Sequence, residues 1–229
     1  MRTANIIGTT GLTGHFLLNQ ILEDEHFETV RVFTRRPTGT KHQKLEEHII
    51  NFDSPDEWKH LVQGDVLFST LGTTLKKAGS KENQFKVDFQ YQYEFAKAAA
   101  ENKVPVYVLV SAPGANPSSI FFYSKIKGKL EQKVIDLDFK SIHILHPSIL
   151  EGDRKENRFF ESLGIRFMKL VNKLGLLKSY RPIHGKTLAR AMLEASFKTY
   201  TVMRIYEPYR LFIMADQYLD RKRKGNTEG

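Results

Sequence analysis

Ser111, Tyr123 and Lys127 have the types and spacing for proton transfer at a carbonyl oxygen. Ser111 ends the apolar run Val106-Tyr107-Val108-Leu109-Val110, the pattern of a buried strand. Tyr123 follows twelve residues later at the start of a helical pattern. Lys127 is four residues further on, so it shares a helix face with Tyr123. An ammonium beside a phenol favours the phenolate and draws the tyrosine pKa toward neutrality. Such a tyrosine can give or take the proton that accompanies hydride transfer, while a serine hydroxyl polarises the same oxygen. Tyr-x-x-x-Lys alone reads as a surface lysine beside a packed tyrosine, and gains meaning only from what precedes it.

What precedes it is Gly8-Thr9-Thr10-Gly11-Leu12-Thr13-Gly14, between the strand-like start of the chain and a helical segment at 12–23. Gly8 permits a tight turn, Gly11 lets a pyrophosphate approach the backbone, and Gly14 lets helix and strand pack closely. The helix N-terminus then faces the anion. The motif is equally compatible with a plain structural turn. The next strand ends in Arg35-Arg36-Pro37, with no acid for a ribose 2′-hydroxyl. Two guanidiniums there suit a 2′-phosphate, so the pattern favours NADP(H) over NAD(H), against a solvated basic turn as the alternative.

Strand patterns fall at 3–7, 29–34, 48–51, 65–71, 104–111 and 141–146. Helical patterns fall at 12–23, 55–62, 81–102 and 120–136. Their alternation predicts an α/β fold, a doubly wound parallel Rossmann-like sheet. Beyond Pro147 the pattern weakens. Residues 159–178 and 186–197 read as helices, 181–184 as a short extended piece, 200–206 as a late strand, 208–223 as a last helix and 224–229 as a polar tail. The expectation is one NAD(P)-binding domain over 1–229, with 151–229 forming a small C-terminal region that covers the substrate side.

The 229 residues are 41% hydrophobic and 27% charged, a globular composition. The absence of cysteine excludes disulfides, thiolate metal sites and thiol catalysis, and fits a reducing compartment. No run approaches the length of a transmembrane helix, and the first strand begins too early for a signal peptide, so a cytoplasmic location is expected. The net charge is +9, and residues 151–190 hold ten Lys/Arg against four Asp/Glu. That surplus suits solubility, an anionic small-molecule substrate, an acidic partner or a membrane surface. No nucleic-acid-reading motif is present. The stripe Phe160, Leu163, Phe167, Leu170, Val171 and Leu174, opposite Arg166, Lys169 and Lys173, reads first as a pocket-covering helix and second as peripheral membrane attachment. His143 and His146 read as packed histidines without metal-ligand partners, and His184 as a candidate substrate contact.

Taken in order, these motifs resemble the short-chain dehydrogenase/reductase superfamily over about residues 1–197. Within it the chain is similar to the atypical NAD(P)H-binding branch that includes the Tat-interacting-protein oxidoreductase group. The resemblance rests on the glycine motif, Thr34-Arg35-Arg36, Asn51-Phe52-Asp53, Leu71-Gly72-Thr73-Thr74, Lys77-Ala78-Gly79, Tyr123-x-x-x-Lys127 and His146-Pro147-Ser148. It implies that Asp53 contacts adenine and that Leu71 and Gly72, followed by Thr73, line the adenosine ribose. It also implies that Lys127 holds the nicotinamide ribose and that the backbone after Pro147, at Ser148, anchors the nicotinamide amide. Ser111, Tyr123 and Lys127 would be the catalytic set. His146 stands where such relatives commonly carry arginine. The expected activity is NADP(H)-dependent oxidoreduction of a small carbonyl or alcohol, by a monomer or homodimer. A cofactor-dependent sensor without turnover and a cofactor-retaining epimerase or isomerase stand as alternatives.

Overall fold

Apolar residues alternate sides along the inner strands, which is why the sheet can be buried on both faces. A computed structural model describes residues 1–151, 181–198 and 203–225. In chain order the elements are β1 (Arg2–Ile7), α1 (Leu12–Leu22), β2 (Phe27–Thr34), β3 (Leu45–Ile49), α2 (Pro55–Trp58), β4 (Val66–Ser69), α3 (Leu75–Ala78), α4 (Lys81–Phe85), α5 (Tyr91–Glu101), β5 (Val106–Val110), α6 (Phe122–Ile135), β6 (Ser141–Leu145), β7 (Leu150–Glu151), β8 (Ile183–His184), α7 (Gly185–Ser196), β9 (Arg204–Tyr206) and α8 (Pro208–Gly225). Seven strands form one sheet in the order β3-β2-β1-β4-β5-β6-β9, and every pairing in it is parallel. β7 and β8 pair separately, also in parallel.

Val66, Phe68, Val106 and Val108 enter one buried cluster with Leu17 and Leu18 of α1, Leu188 and Met192 of α7, and Leu211 and Met214 of α8. Leu67, Tyr107 and Leu109, the intervening residues, enter the other with Trp58, Phe95, Leu130 and Val134. This is the expected doubly wound Rossmann-like fold. The residues from Ile183 onward do more than cover a cleft. They supply the outermost strand of the sheet and two of the helices on the α1 face.

Boundaries differ where apolar patterning is thin. The strand expected at 48–51 is Leu45–Ile49, a half-exposed edge strand whose sequence Leu-Glu-Glu-His-Ile has no apolar run. The helix expected at 55–62 is one α-turn followed by a 3₁₀ turn at Lys59–Leu61. The helix expected at 81–102 is interrupted by a π-turn over Lys86–Gln90. The final helix continues through Lys224 and Gly225, expected to lie in the tail. The helix expected at 159–178, with its apolar stripe and basic face, lies outside the described residues.

The core also contains a titration switch. His143 of β6 is fully buried; its Nε2 lies 2.9 Å from the Lys198 carbonyl and its Nδ1 3.0 Å from the Tyr206 hydroxyl. A carbonyl only accepts, so Nε2 carries the proton and Nδ1 accepts from Tyr206. Burial, with a smaller push from the Lys198 charge, lowers the His143 pKa to about 4 from an ordinary value of 6.5. Between those values the unfolded chain binds a proton that the native state refuses, so stability falls as pH drops from about 6.5 to about 4. The full effect is about 3 kcal/mol. Urea unfolding across this range should show that slope, and His143→Gln should flatten it; an equally steep slope in the variant would assign the effect elsewhere.

Candidate functional site

The strand order reverses between β1 and β4, so a crevice opens above their carboxyl ends. Both walls are held by short contacts. Gly8 has φ +90, and a Cβ there would lie 2.6 Å from Thr70 Oγ1; a Cβ on Gly14 would lie 2.1 Å from the Gly8 carbonyl oxygen. The Thr70 N–H and hydroxyl both donate to the Ile7 carbonyl, at 3.0 and 2.9 Å. The two loops are therefore stitched together, and their backbone can come close to a ligand. Thr10, Gly11 and Leu12 lie toward solvent, while Thr9 and Thr13 are buried. Among the described residues, the hydroxyls of Thr9 and Thr13 have no hydrogen-bond partner and no side chain caps the first turn of α1. Unpartnered donors around a glycine cradle at a helix N-terminus fit a dinucleotide pyrophosphate.

At the end of β2, Arg35 and Arg36 are exposed. Asp53 is held nearby: its Oδ1 accepts from Tyr91 Oη at 3.0 Å and from Lys86 Nζ at 3.4 Å. The charge of Arg35 is felt at Tyr91. Leu71 is half-buried and packs on the aromatic cluster around Phe95. At Gly72 a Cβ would touch Asp88 Oδ1 at 3.5 Å, and the Thr73 N–H donates to Asp88 Oδ2 at 3.2 Å. Pro147 is buried, and the buried Ser148 donates to the Arg181 carbonyl at 2.5 Å, closing the strip between β6 and the β7–β8 pair. His184 caps α7, its Nδ1 accepting the Lys186 N–H at 3.1 Å.

Tyr123 and Lys127 lie one turn apart near the start of α6, with Nζ 6.0 Å from the phenol ring centroid. Lys127 is buried, and its ammonium lies 3.2 Å from the equally buried Asp88 Oδ1. Burial alone would lower the Lys127 pKa, but Asp88, Tyr123 and Glu131 outweigh it and raise it, so the ammonium is kept. The expected fall in the Tyr123 pKa does not occur. Desolvation pushes the phenol up and Asp88 adds to that, outweighing Lys127. Burial of the phenol is the main reason, and the carboxylate of Asp88 beside the lysine is a smaller one. Tyr123 keeps 44% of its surface in solvent, which screens part of this push.

Asp88 is a residue of the candidate site that the motifs do not single out. Gln84, Asp88 and Gln92 are all buried at four-residue spacing. A polar stripe where an apolar one belongs was the available signal. Gln92 accepts from Ser69 Oγ at 2.7 Å and donates to the Asp88 carbonyl at 2.9 Å, so the stripe is fixed to the end of β4. The π-turn sits at Asp88, in keeping with the frequency of such bulges at functional sites.

Ser111 makes a different contact from the one its position suggests. Its hydroxyl donates to Glu131 Oε1, one turn beyond Lys127 on α6. Polarising a substrate oxygen therefore requires the serine to redirect its proton.

A crevice at the strand-order reversal, a pyrophosphate cradle and a Tyr-Lys pair define a dinucleotide-binding protein. The family model described as NAD(P)H-binding matches residues 8–140, and the chain belongs to that family. Its curated relatives include Protein FMP52, mitochondrial, of Debaryomyces hansenii, 34% identical over 209 residues, covering 87% of this chain and 89% of that protein. The protein of the same name from Candida albicans is 38% identical over 203 residues, covering 84% and 87%. Among solved structures, a short-chain dehydrogenase/reductase superfamily protein from Agrobacterium tumefaciens with bound NAD superposes with a TM-score of 0.64. It is 14% identical and covers 90% of this chain and 77% of that one, which shows the shared fold alone. The resemblance is borne out as an NAD(P)H-binding family and as a fold shared with a short-chain dehydrogenase/reductase superfamily protein. The expected cytoplasmic location is overturned by these relatives, which are named mitochondrial.

Proposed function

We propose that this protein is an NADP(H)-dependent oxidoreductase that reduces a small carbonyl, with Tyr123 as the proton donor. We further propose that it works at the mitochondrion, as its relatives' names say of them. The observation that carries the reading is Tyr123 one turn from an ammonium held by Asp88 beside the crevice. When bound, the dihydronicotinamide supplies a hydride. Gly8, Thr9, Thr10, Gly11, Leu12, Thr13 and Gly14 hold the pyrophosphate; Asp53, Leu71, Gly72 and Thr73 hold the adenosine. Lys127 and the Pro147–Ser148 backbone orient the nicotinamide end. Tyr123 is kept as the neutral phenol, so it delivers a proton to the carbonyl oxygen, and Ser111 completes the polar surround. Residues 1–229 act as one unit, with 151–229 contributing to the substrate side.

Arg35 and Arg36 carry the NADP preference in this reading. Titration calorimetry with NADPH and NADH should show Arg35→Ala/Arg36→Ala weakening NADPH about 30-fold, as for two exposed charge-assisted contacts worth about 1 kcal/mol each, with NADH nearly unchanged. Equal loss for both nucleotides would assign the arginines a role other than phosphate recognition. No binding of either nucleotide by the wild type would overturn the reading.

A further inference from the structure

Glu131 and His146 are buried titratable groups that the scheme above leaves unused. Glu131 Oε1 accepts from Ser111 Oγ and lies 2.8 Å from His146 Nε2. On the far side of the imidazole, Nδ1 is 3.6 Å from Glu207 Oε1, within reach of one small shift. The Glu207 side chain is 54% exposed, while Ser111, Glu131 and His146 are buried. Four side chains from four segments thus form one path from the end of β5 to solvent. The backbone holds it: the His146 N–H donates to the Tyr206 carbonyl at 2.9 Å, which places the imidazole beside Glu207. The charged group facing the chain from within is Lys127, one turn before Glu131 on α6, with Asp88 beyond it.

We propose that Ser111, Glu131, His146 and Glu207 form a proton relay between solvent and the reacting oxygen. The proposal rests on the carbonyl-reductase reading. Each reduction consumes one proton at the site and leaves Tyr123 as a phenolate. Glu207, refilled from water, gives a proton to His146 Nδ1, and His146 Nε2 gives its own to Glu131 Oε1. Glu131 passes a proton to Ser111 Oγ as the serine proton moves to the product oxygen and on to the phenolate. One solvent proton enters and one proton restores Tyr123; His146 ends protonated at Nδ1 instead of Nε2, and a flip of its ring returns the proton to the Glu131 side before the next turnover. An imidazole suits the middle position because it can accept at one nitrogen while donating from the other. An arginine in that place would keep the ion pair with Glu131 and pass nothing.

The test is NADPH oxidation by the full chain with a panel of quinones, aldehydes and ketones, in dilute and concentrated buffer. His146→Ala should lower turnover at least tenfold in dilute buffer, in line with the usual size of a lost proton-transfer group. NADPH affinity should be unchanged, and added imidazole should restore most of the turnover. Glu207→Gln, at the exposed end, should lose about threefold and recover in concentrated buffer; it carries the test alone if His146→Ala does not fold. Turnover that is unchanged, or a loss that neither imidazole nor buffer relieves, overturns the relay and leaves the Tyr123 chemistry standing. A wild type inert to the whole panel overturns both.

Discussion

Asp88→Ala is expected to destabilise the protein by about 3–5 kcal/mol, the usual cost of stranding a buried charge by removing its partner. The partner is Lys127, 3.2 Å away and buried with it. The ammonium cannot reach water without unpacking the start of α6, where Ile126 and Gly128 are also buried. For a chain of this length the loss corresponds to a fall in Tm of roughly 10 °C. Urea unfolding of wild type and variant measures it. Asp88→Asn should fall between the two, because the amide oxygen can still accept from Thr73 N–H while the charge is gone. Asp88→Ala combined with Lys127→Met should recover most of the loss, since a buried ion pair replaced by apolar groups is often neutral. If the double variant is no better than the single, the damage comes from the lost Thr73 contact and the π-turn instead of the stranded lysine.

The glycine motif and the strand ends were readable because their physics is local. A turn with φ +90 at Gly8, and a helix that must approach a strand at Gly14, constrain residue type within seven positions. The inner strands were readable because both faces are buried, so Val66 through Phe68 and Val106 through Leu109 have almost no polar interruption. The edge strand β3 was displaced by three residues because half-exposed positions tolerate Glu46 and Glu47. The electrostatics of the site were not readable at all. Lys127 meets Asp88 from 39 positions away, and His146 meets Glu131 across α6 and β6. Only the fold decides that the ammonium next to Tyr123 is already paired. Burial of the phenol, with a smaller push from Asp88, reverses the expected direction of the tyrosine shift and favours a neutral acid over an anionic base.

Tyr123→Phe is accordingly expected to reduce carbonyl-dependent NADPH oxidation by about 10²–10⁴-fold, the contribution of a positioned general acid. NADPH affinity should be nearly unchanged. The ring is retained, and neither the cradle at Gly8–Gly14 nor the Lys127–Asp88 pair involves the phenol oxygen. Because desolvation and Asp88 raise the phenol pKa, wild-type reduction should hold steady through neutral pH and decline only on an alkaline limb above the ordinary tyrosine value. In Tyr123→Phe that limb should vanish from whatever activity is left. A tyrosine working as a phenolate base would give the opposite profile, with activity rising as pH climbs. Full activity in the phenylalanine variant would remove Tyr123 from proton transfer and leave the buried Ser111–Glu131 pair as the proton source. An intact fold that binds NADPH, with neither wild type nor variant turning over any carbonyl, would instead make the dinucleotide a conformational ligand, and the buried Asp88–Lys127 pair the element that reads its binding.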